Sequence, residues 1–262
     1  MIVPQDRVAV ALSGGKDSTA LLLILNRLIQ KWQNVRLIAL TIDEGIAGYR
    51  EETIRSAEQL TGRYGIEHHC ISFSDLFGNS LDAFLKCRET QACSICGILR
   101  KKALVRGAHQ VGATKLATGH NLDDEAQSVL MNVFRGDLPR LVRNSGADSS
   151  GRFIPRIKPL CLISEKEIAT YLVLKDAWRH LPECPYTRYA LRREVRSMLS
   201  GFEYKHPGTM LRLMESKKKI EHFYAGSVIA EPLQSCRECG DPCSRDLCQP
   251  CMLMQSLRRG HT

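Results

Sequence analysis

Arg7-Val8-Ala9-Val10-Ala11-Leu12-Ser13-Gly14-Gly15-Lys16-Asp17-Ser18 is the stretch that decides the fold of this 262-residue chain. Its first six residues form an apolar run of the length and composition of a buried parallel strand. A glycine turn follows. From residue 18 to residue 32, Leu21, Leu22, Leu25, Leu28 and Ile29 recur at helical spacing. A strand passing through a glycine-rich turn into a helix suits an anion. The glycines let the backbone approach a phosphate, and the helix N-terminus offers unpaired N–H groups and the positive end of its dipole. Lys16 adds a mobile charge, and Ser13 and Ser18 add hydroxyl donors. The Gly/Lys spacing is not that of the Walker loop. The other reading of these residues is an ordinary glycine turn entering a helix.

Outward from this stretch, strands and helices alternate. Residues 35–42 read as a second buried strand, and 50–64 as a helix stopped by Gly65. Residues 67–73 form a weaker strand, 76–88 and 95–110 two helices, 115–118 a short strand and 122–134 a helix. This order predicts an α/β fold, a doubly wound parallel sheet with ligands at the carboxyl ends of its strands. Asp43 ends the second strand, where a carboxylate suits magnesium or a nucleotide hydroxyl, and equally a simple turn. Gly119-His120-Asn121-Leu122-Asp123-Asp124 repeats the strand–loop–helix setting. Its paired aspartates suit the helix dipole as well as magnesium beside a phosphate. Residues 144–152 are polar and Gly/Ser-rich, as a surface loop would be. Ser164 and Glu167 have the spacing of a capping box at the start of a helix ending near Leu174. Residues 188–224 read as basic helices broken at Gly201 and at His206-Pro207-Gly208.

The chain is 44% hydrophobic and 25% charged, enough for a proper core. It has no apolar run of bilayer-spanning length and no signal-peptide pattern at its start, so a cytoplasmic location away from membranes is expected. Residues 187–219 hold nine basic and three acidic side chains, six of the nine net positive charges. Such a face suits a polyanion such as nucleic acid, or it is a solvated helix surface. Eleven cysteines in a chain of this kind point to metal or redox chemistry rather than disulfides. Cys93/Cys96 is one CxxC pair, open between a redox dithiol, half a zinc site and part of an iron–sulfur site. Cys236/Cys239 and Cys248/Cys251 form CxxC…CxxC with eight residues between, a tetrahedral zinc pattern that leaves Cys243 out. Apolar residues are sparse after Ser235, so the metal is expected to hold that segment together. Cys70, Cys87, Cys161 and Cys184 are scattered and read as packing residues.

The loop at Ser13 resembles the signature of the PP-loop ATP pyrophosphatases, which implies an adenine nucleotide α-hydrolase-like fold. The wider order of motifs resembles the TtuA/TtcA family of tRNA 2-thiolation enzymes. That order is the loop, Asp43-Glu44-Gly45 with Gly48-Tyr49-Arg50, Cys93/Cys96-Gly97, the Gly119 segment and Glu183-Cys184-Pro185-Tyr186. The resemblance is strongest to the group that includes the archaeal and eukaryotic wobble-uridine thiolases. It implies a catalytic domain over 1–186, a basic helical tRNA-contacting region over 187–230 and a small C-terminal zinc knuckle over 231–262. It also implies that Cys93, Cys96 and Cys184 hold a 4Fe–4S cluster, and that Cys236, Cys239, Cys248 and Cys251 hold zinc. Ser13, Gly14, Gly15, Lys16, Asp17, Ser18, Asp43, Gly119 and His120 would bind ATP and Mg2+. Cys93, Cys96, Asp124 and Arg100 would be catalytic. The implied reaction adenylates the C2 oxygen of a uridine and replaces it with sulfur. The expected partners are tRNA, a ubiquitin-like thiocarboxylate carrier or free sulfide, and a second copy of the chain. Relatives often carry another cysteine-rich zinc element ahead of the phosphate loop, and the dozen residues before Ser13 hold none. Some relatives have lysine where this chain has Arg100, so no lysine-specific proton transfer is assigned. The alternatives are a cytidine 2-thiolase, which the knuckle disfavours, and an inactive zinc-dependent tRNA-binding module, which the intact loop disfavours.

Overall fold

The structure, a computed structural model, describes residues 1–32, 34–86, 88–142, 153–189, 191–224 and 234–259. The expected surface loop at 144–152 and Cys87 lie outside them. Strands β1 (Arg7–Ala11), β2 (Arg36–Asp43), β3 (Glu67–Ser72), β4 (Lys115–Ala117) and β5 (Arg156–Ile157) form one sheet in the order β3-β2-β1-β4-β5. Every pairing within it is parallel. The two-residue strand β5 carries too short an apolar run to be read from the sequence.

Alternation along the strands feeds two cores. Val8, Val10 and Leu12 with Leu37 and Ala39 face helices α1 (Lys16–Ile29) and α2 (Arg50–Tyr64). Ala9 with Ile38, Leu40 and Ile42 faces the opposite layer. That layer holds the short helices α3 (Phe73–Phe77) and α4 (Leu81–Phe84) and the long α5 (Ala92–Gln110). The single helix expected over 76–88 is therefore two short ones. Gly78 has a left-handed φ of 85°, and the Ser80 hydroxyl caps α4 by accepting from the Ala83 N–H, so the chain must restart there. Helices α6 (Leu122–Phe134) and α7 (Leu138–Val142) follow β4, and α8 (Glu165–Leu174) returns to the α1 side. The Ser164–Glu167 capping box is formed in both directions.

The basic segment makes α9 (Leu191–Lys205) and α10 (Thr209–Tyr224), which break at Pro207-Gly208 but run unbroken through Gly201. A lone glycine costs a helix only about 1 kcal/mol, and burial of Val195 and Leu199 outweighs it. Leu199, Met210 and Met214 close a third core against Leu122, Ala126 and Val129 of α6. The C-terminal segment makes the hairpin of β6 (Gln234–Ser235) and β7 (Pro242–Cys243), then α11 (Gln249–Arg259). It is not held by cysteines alone. Met254 and Leu257 of α11 are 8% and 2% exposed and join the core with Leu99 and Ala103 of α5.

Cutting Leu257 to alanine should therefore destabilise the protein by about 2–5 kcal/mol in denaturant titrations. Cleavage within α11 by limited proteolysis should also appear before global unfolding.

Candidate active site

The sheet order reverses between β1 and β4, and the loops leaving those two strands meet at that crevice. Gly15 is the N-cap of α1 and makes no side-chain cap, so the first N–H groups of the helix remain for an anion. Ser13 and Ser18 stitch the loop to itself. Their hydroxyls are 3.1 Å apart, the Ser18 hydroxyl donates to the Gly15 carbonyl at 2.9 Å and the Gly15 N–H donates to the Ser13 hydroxyl at 3.3 Å. Both serines thus shape the loop. Gly14 has φ 85°, and a Cβ there would stand 2.3 Å from the Thr53 carbonyl oxygen of α2. Its need for glycine is therefore internal, before any phosphate is considered.

Lys16 Nζ lies 2.8 Å from Asp17 and 2.9 Å from Glu165 of α8. Desolvation pulls its pKa down, but the two carboxylates outweigh that and raise it. Gly119, in the loop after β4, presses on this turn, and a Cβ there would be 3.0 Å from the Asp17 carbonyl carbon. Asn121 joins the loops by donating to Asp17 Oδ1 at 3.0 Å while its own side-chain oxygen accepts the Asp124 N–H at 2.9 Å. Asp124 closes that capping box and lies 3.3 Å from Arg192 of α9. His120 Nδ1 is 2.9 Å from the Thr118 hydroxyl, and burial first, then Lys158, lowers its pKa, so the ring is neutral near pH 7. Asp43 Oδ1 accepts the Gly45 N–H at 2.8 Å, the turn geometry expected as its plainer role.

Glu44 and Arg50 entered the sequence reading only as members of motifs, with no task assigned, and Glu165 not at all, yet they organise this edge. Glu44 is 1% exposed and lies between two arginines. Arg100 Nε donates to its Oε1 at 2.5 Å. Arg50 Nε is 2.7 Å from its Oε2 but aims its N–H at the Ile42 carbonyl, so that oxygen has an ion pair without a directed hydrogen bond. Arg50 Nη1 also donates to the Ser13 carbonyl at 3.0 Å. No local sequence signal announces these contacts, because the partners lie 6 to 56 positions apart.

Cys93 and Cys96 are both helical, because α5 starts at Ala92, three residues before the expected start at residue 95. They lie in the first turns of α5, whose N-cap Gln91 makes no side-chain cap. Cys93 Sγ is 3.8 Å from the Tyr186 carbonyl, two residues after Cys184. The segment at 184–187 is held by the Tyr186 hydroxyl on Asp82 at 2.8 Å and by the Ala47 N–H on the other oxygen of Asp82 at 2.9 Å. Arg100 Nη2 donates to Cys96 Sγ at 3.1 Å. Burial pushes the Cys96 thiol up to about 11 against the pull of Arg100, and burial raises Cys184 as well. Cys93 is near enough to Cys184 to add to that rise. The Arg100 side chain is 46% exposed by surface area, yet its charged end is crowded enough that desolvation opposes its charge. Glu44 and then Cys96 more than compensate, and its pKa rises.

The four C-terminal thiols of Cys236, Cys239, Cys248 and Cys251 lie within 4.8 Å of one another, and among the described residues they are the one such group. Sulfurs on a single tetrahedral ion, with bonds near 2.3 Å, stand about 3.8 Å apart, and Cys239 and Cys248 are at 3.5 Å. The sulfurs of Cys93, Cys96 and Cys184 do not all lie within 4.8 Å of one another. Cys243 stays outside the four and donates to the Arg245 carbonyl. Lys102 of α5 donates to Cys239 Sγ at 3.2 Å and bonds Asp241. Cys70 is exposed on the edge strand and Cys161 is half-buried, so neither is the fully buried packing residue expected. Arg192 and Arg196 of α9 turn inward to Asp124 and Glu165. Arg193, Lys205, Lys218 and Lys219 remain on the exposed surface.

The PP-loop domain family matches residues 2–199. The tRNA 2-thiolation protein NcsA of Haloferax volcanii is 38% identical over 261 residues, covering 95% of this chain and 81% of that protein. Cytoplasmic tRNA 2-thiolation protein 1 of Bos taurus is 37% identical, with 99% and 76% covered. Among solved structures, the U34-tRNA thiolase NcsA of Methanococcus maripaludis with its [4Fe-4S] cluster is 33% identical. It covers 97% of this chain and 82% of that one, with a TM-score of 0.85.

Two loop variants should behave differently in calorimetry and thermal unfolding. Gly14→Val should lose stability and ATP binding together, because its side chain meets the Thr53 backbone. Lys16→Ala should keep its fold and weaken ATP binding about 10- to 100-fold, the worth of one charge-assisted bond of roughly 1.5–3 kcal/mol.

Proposed function

The chain belongs to the PP-loop family of tRNA 2-thiolation proteins, and on that premise we propose that it is an ATP-dependent tRNA sulfurtransferase that makes 2-thiouridine. The uridine we propose is the wobble base, the position named for the solved relative. The observation that carries the reading is the nearness of two half-sites. A phosphate loop and a thiol group lie at one sheet edge, linked through Arg50, Glu44 and Arg100.

In the first step the uridine O2 attacks the α-phosphorus of ATP. An O–P bond forms, the bond to the β-phosphate oxygen breaks and pyrophosphate leaves. In the second step sulfide attacks C2, and the C–O bond breaks so that AMP carries the oxygen away. No oxidant or reductant is consumed. The N–H groups at the start of α1, with Gly14, Gly15 and Lys16, hold the phosphates, and the charge developing on the leaving groups is met there. Asp17 and Asp43 are the carboxylates for Mg2+, and Asp124 sets the helix end that presents Asn121 to Asp17. Neutral His120 and Gly119 line the nucleotide side of the crevice. Arg193, Lys205, Lys218 and Lys219 meet the tRNA backbone, while Arg192 and Arg196 brace α9 against the site.

Cys93, Cys96 and Cys184 would hold a 4Fe–4S cluster. Its three-thiolate ligation would leave one iron free of protein ligands to supply the sulfide. The Arg100 guanidinium opposes the rise that burial imposes on the Cys96 and Cys184 thiols. The sulfur source is free sulfide or the thiocarboxylate of a small carrier protein. Zinc at Cys236, Cys239, Cys248 and Cys251 would be structural, with no position left open. We assign 1–186 to catalysis, 187–230 to tRNA contact and 231–262 to the knuckle, and expect action in the cytoplasm, as the Bos taurus relative's name says of that protein. A homodimer remains part of the proposal.

Anaerobic reconstitution with iron and sulfide tests the thiol assignment. Cys93→Ser, Cys96→Ser and Cys184→Ser should each lose the broad visible absorption and tRNA thiolation, whereas Cys70→Ser and Cys161→Ser should keep both. A Cys184→Ser variant with full absorption and activity would leave a persulfide dithiol at Cys93/Cys96 as the better account.

Metal analysis should find about one zinc per chain, lost when the four C-terminal cysteines become serine. Zinc retained in that variant would exclude the knuckle assignment.

A further inference from the structure

We infer that Glu44 is a positioning residue for sulfur chemistry: it fixes Arg100 on the sulfur of Cys96 and ties that contact, through Arg50, to the phosphate loop. The inference rests on the function proposed above. Glu44 itself touches neither a cysteine nor the loop in any contact described, so it acts through the arginines.

Four observations support it. The carboxylate is 1% exposed, so it must be neutralised by neighbours rather than by water. Its two oxygens are divided, Oε1 to Arg100 and Oε2 to Arg50. Each arginine continues outward in one direction, Arg100 Nη2 to Cys96 Sγ at 3.1 Å and Arg50 Nη1 to the Ser13 carbonyl at 3.0 Å. The two arginines also differ in their need for Glu44. Arg50 is itself buried and has the Ile42 and Ser13 carbonyls and the Thr53 hydroxyl as further partners. Arg100 is 46% exposed and has Glu44 and Cys96 alone among the contacts described. Without Glu44, Arg50 would stay where it is, and Arg100 would be free to swing into solvent.

The consequence for a cluster ligated by Cys96 follows from charge. A cation donating N–H to a ligating sulfur favours the reduced, more negative state and raises the reduction potential. Removing Arg100 should lower the potential. Glu44→Asp keeps the negative charge but shortens the side chain by one methylene, so it should also lower the potential if Glu44 works by holding Arg100. A Glu44 acting only as a nearby charge would leave the potential unchanged in that variant.

The experiment is a redox titration of the anaerobically reconstituted full-length protein, followed by visible absorption or EPR. The expected result is a shift to lower potential in Arg100→Ala and a shift of the same sign in Glu44→Asp. The double variant should titrate no lower than Arg100→Ala alone. An unshifted Glu44→Asp, or a Glu44→Asp shift that persists in full on the Arg100→Ala background, would overturn the inference. Should the aspartate variant fail to fold, Glu44→Gln decides by sign. Loss of a negative charge alone raises the potential, whereas loss of the hold on Arg100 lowers it. Parent protein that takes up no cluster would instead refute the function proposed above.

Discussion

A parallel sheet sends every strand's carboxyl end to one edge, and here the two central loops at that edge touch backbone to backbone. Gly119 packs against the carbonyl carbon of Asp17 and the amide of Ser18, and Gly14 packs against the Thr53 carbonyl. No side chain larger than hydrogen fits at either contact without displacing main chain. The short, tightly drawn turn that results leaves the start of α1 uncapped and facing the crevice. The remaining site residues are arranged around this contact. Asn121 bridges the loops, Lys16 is braced by Asp17 and Glu165, and Arg50 grips the Ser13 carbonyl from behind.

The second organising element is the set of charges within the edge. Burying Glu44 and Arg50 costs desolvation that their mutual attraction roughly offsets, so the cluster is poorly explained as a source of stability. An apolar pair of the same volume would pack there at no greater cost. What an apolar pair lacks is direction. The forked geometry of arginine fixes the angle between its partners, and here Arg100 spans Glu44 and Cys96 while Arg50 spans the Ile42 and Ser13 carbonyls.

Much of this was legible in the sequence because it is local. The helix from Arg50 to Tyr64 with its Gly65 stop, the α6 helix and the Ser164–Glu167 capping box are set by residues within a few positions of each other. The misread elements are those decided by distant partners. Gly201 looked like a break, but the core formed with α6 carries the helix through it. The helix of the cysteine pair was expected from residue 95, whereas α5 begins at Ala92 and takes in Cys93. The knuckle looked coreless because Met254 and Leu257 are few in number, although both find α5. Glu44 stood out only as a member of the Asp43-Glu44-Gly45 motif, with no task of its own, and Glu165 not at all, since an acidic residue becomes part of a site through its partners. Cys184 entered only through the resemblance, because its spacing of nearly ninety positions carries no local signal.

The bond from Lys102 to Cys239 and Asp241 joins residues 137 and 139 positions apart. Lys102 is only 7% exposed, and beside it Leu99 and Ala103 form the face that α11 covers. On the ribosome that face is made long before its cover. A nascent chain can pair β1 with β2 and build the phosphate loop early. It must keep a buried ammonium and an apolar strip of α5 uncovered until α11 emerges. Synthesis and folding are thus out of step at α5, the helix that carries Cys93 and Cys96, and chaperone contact during translation would fall on that strip.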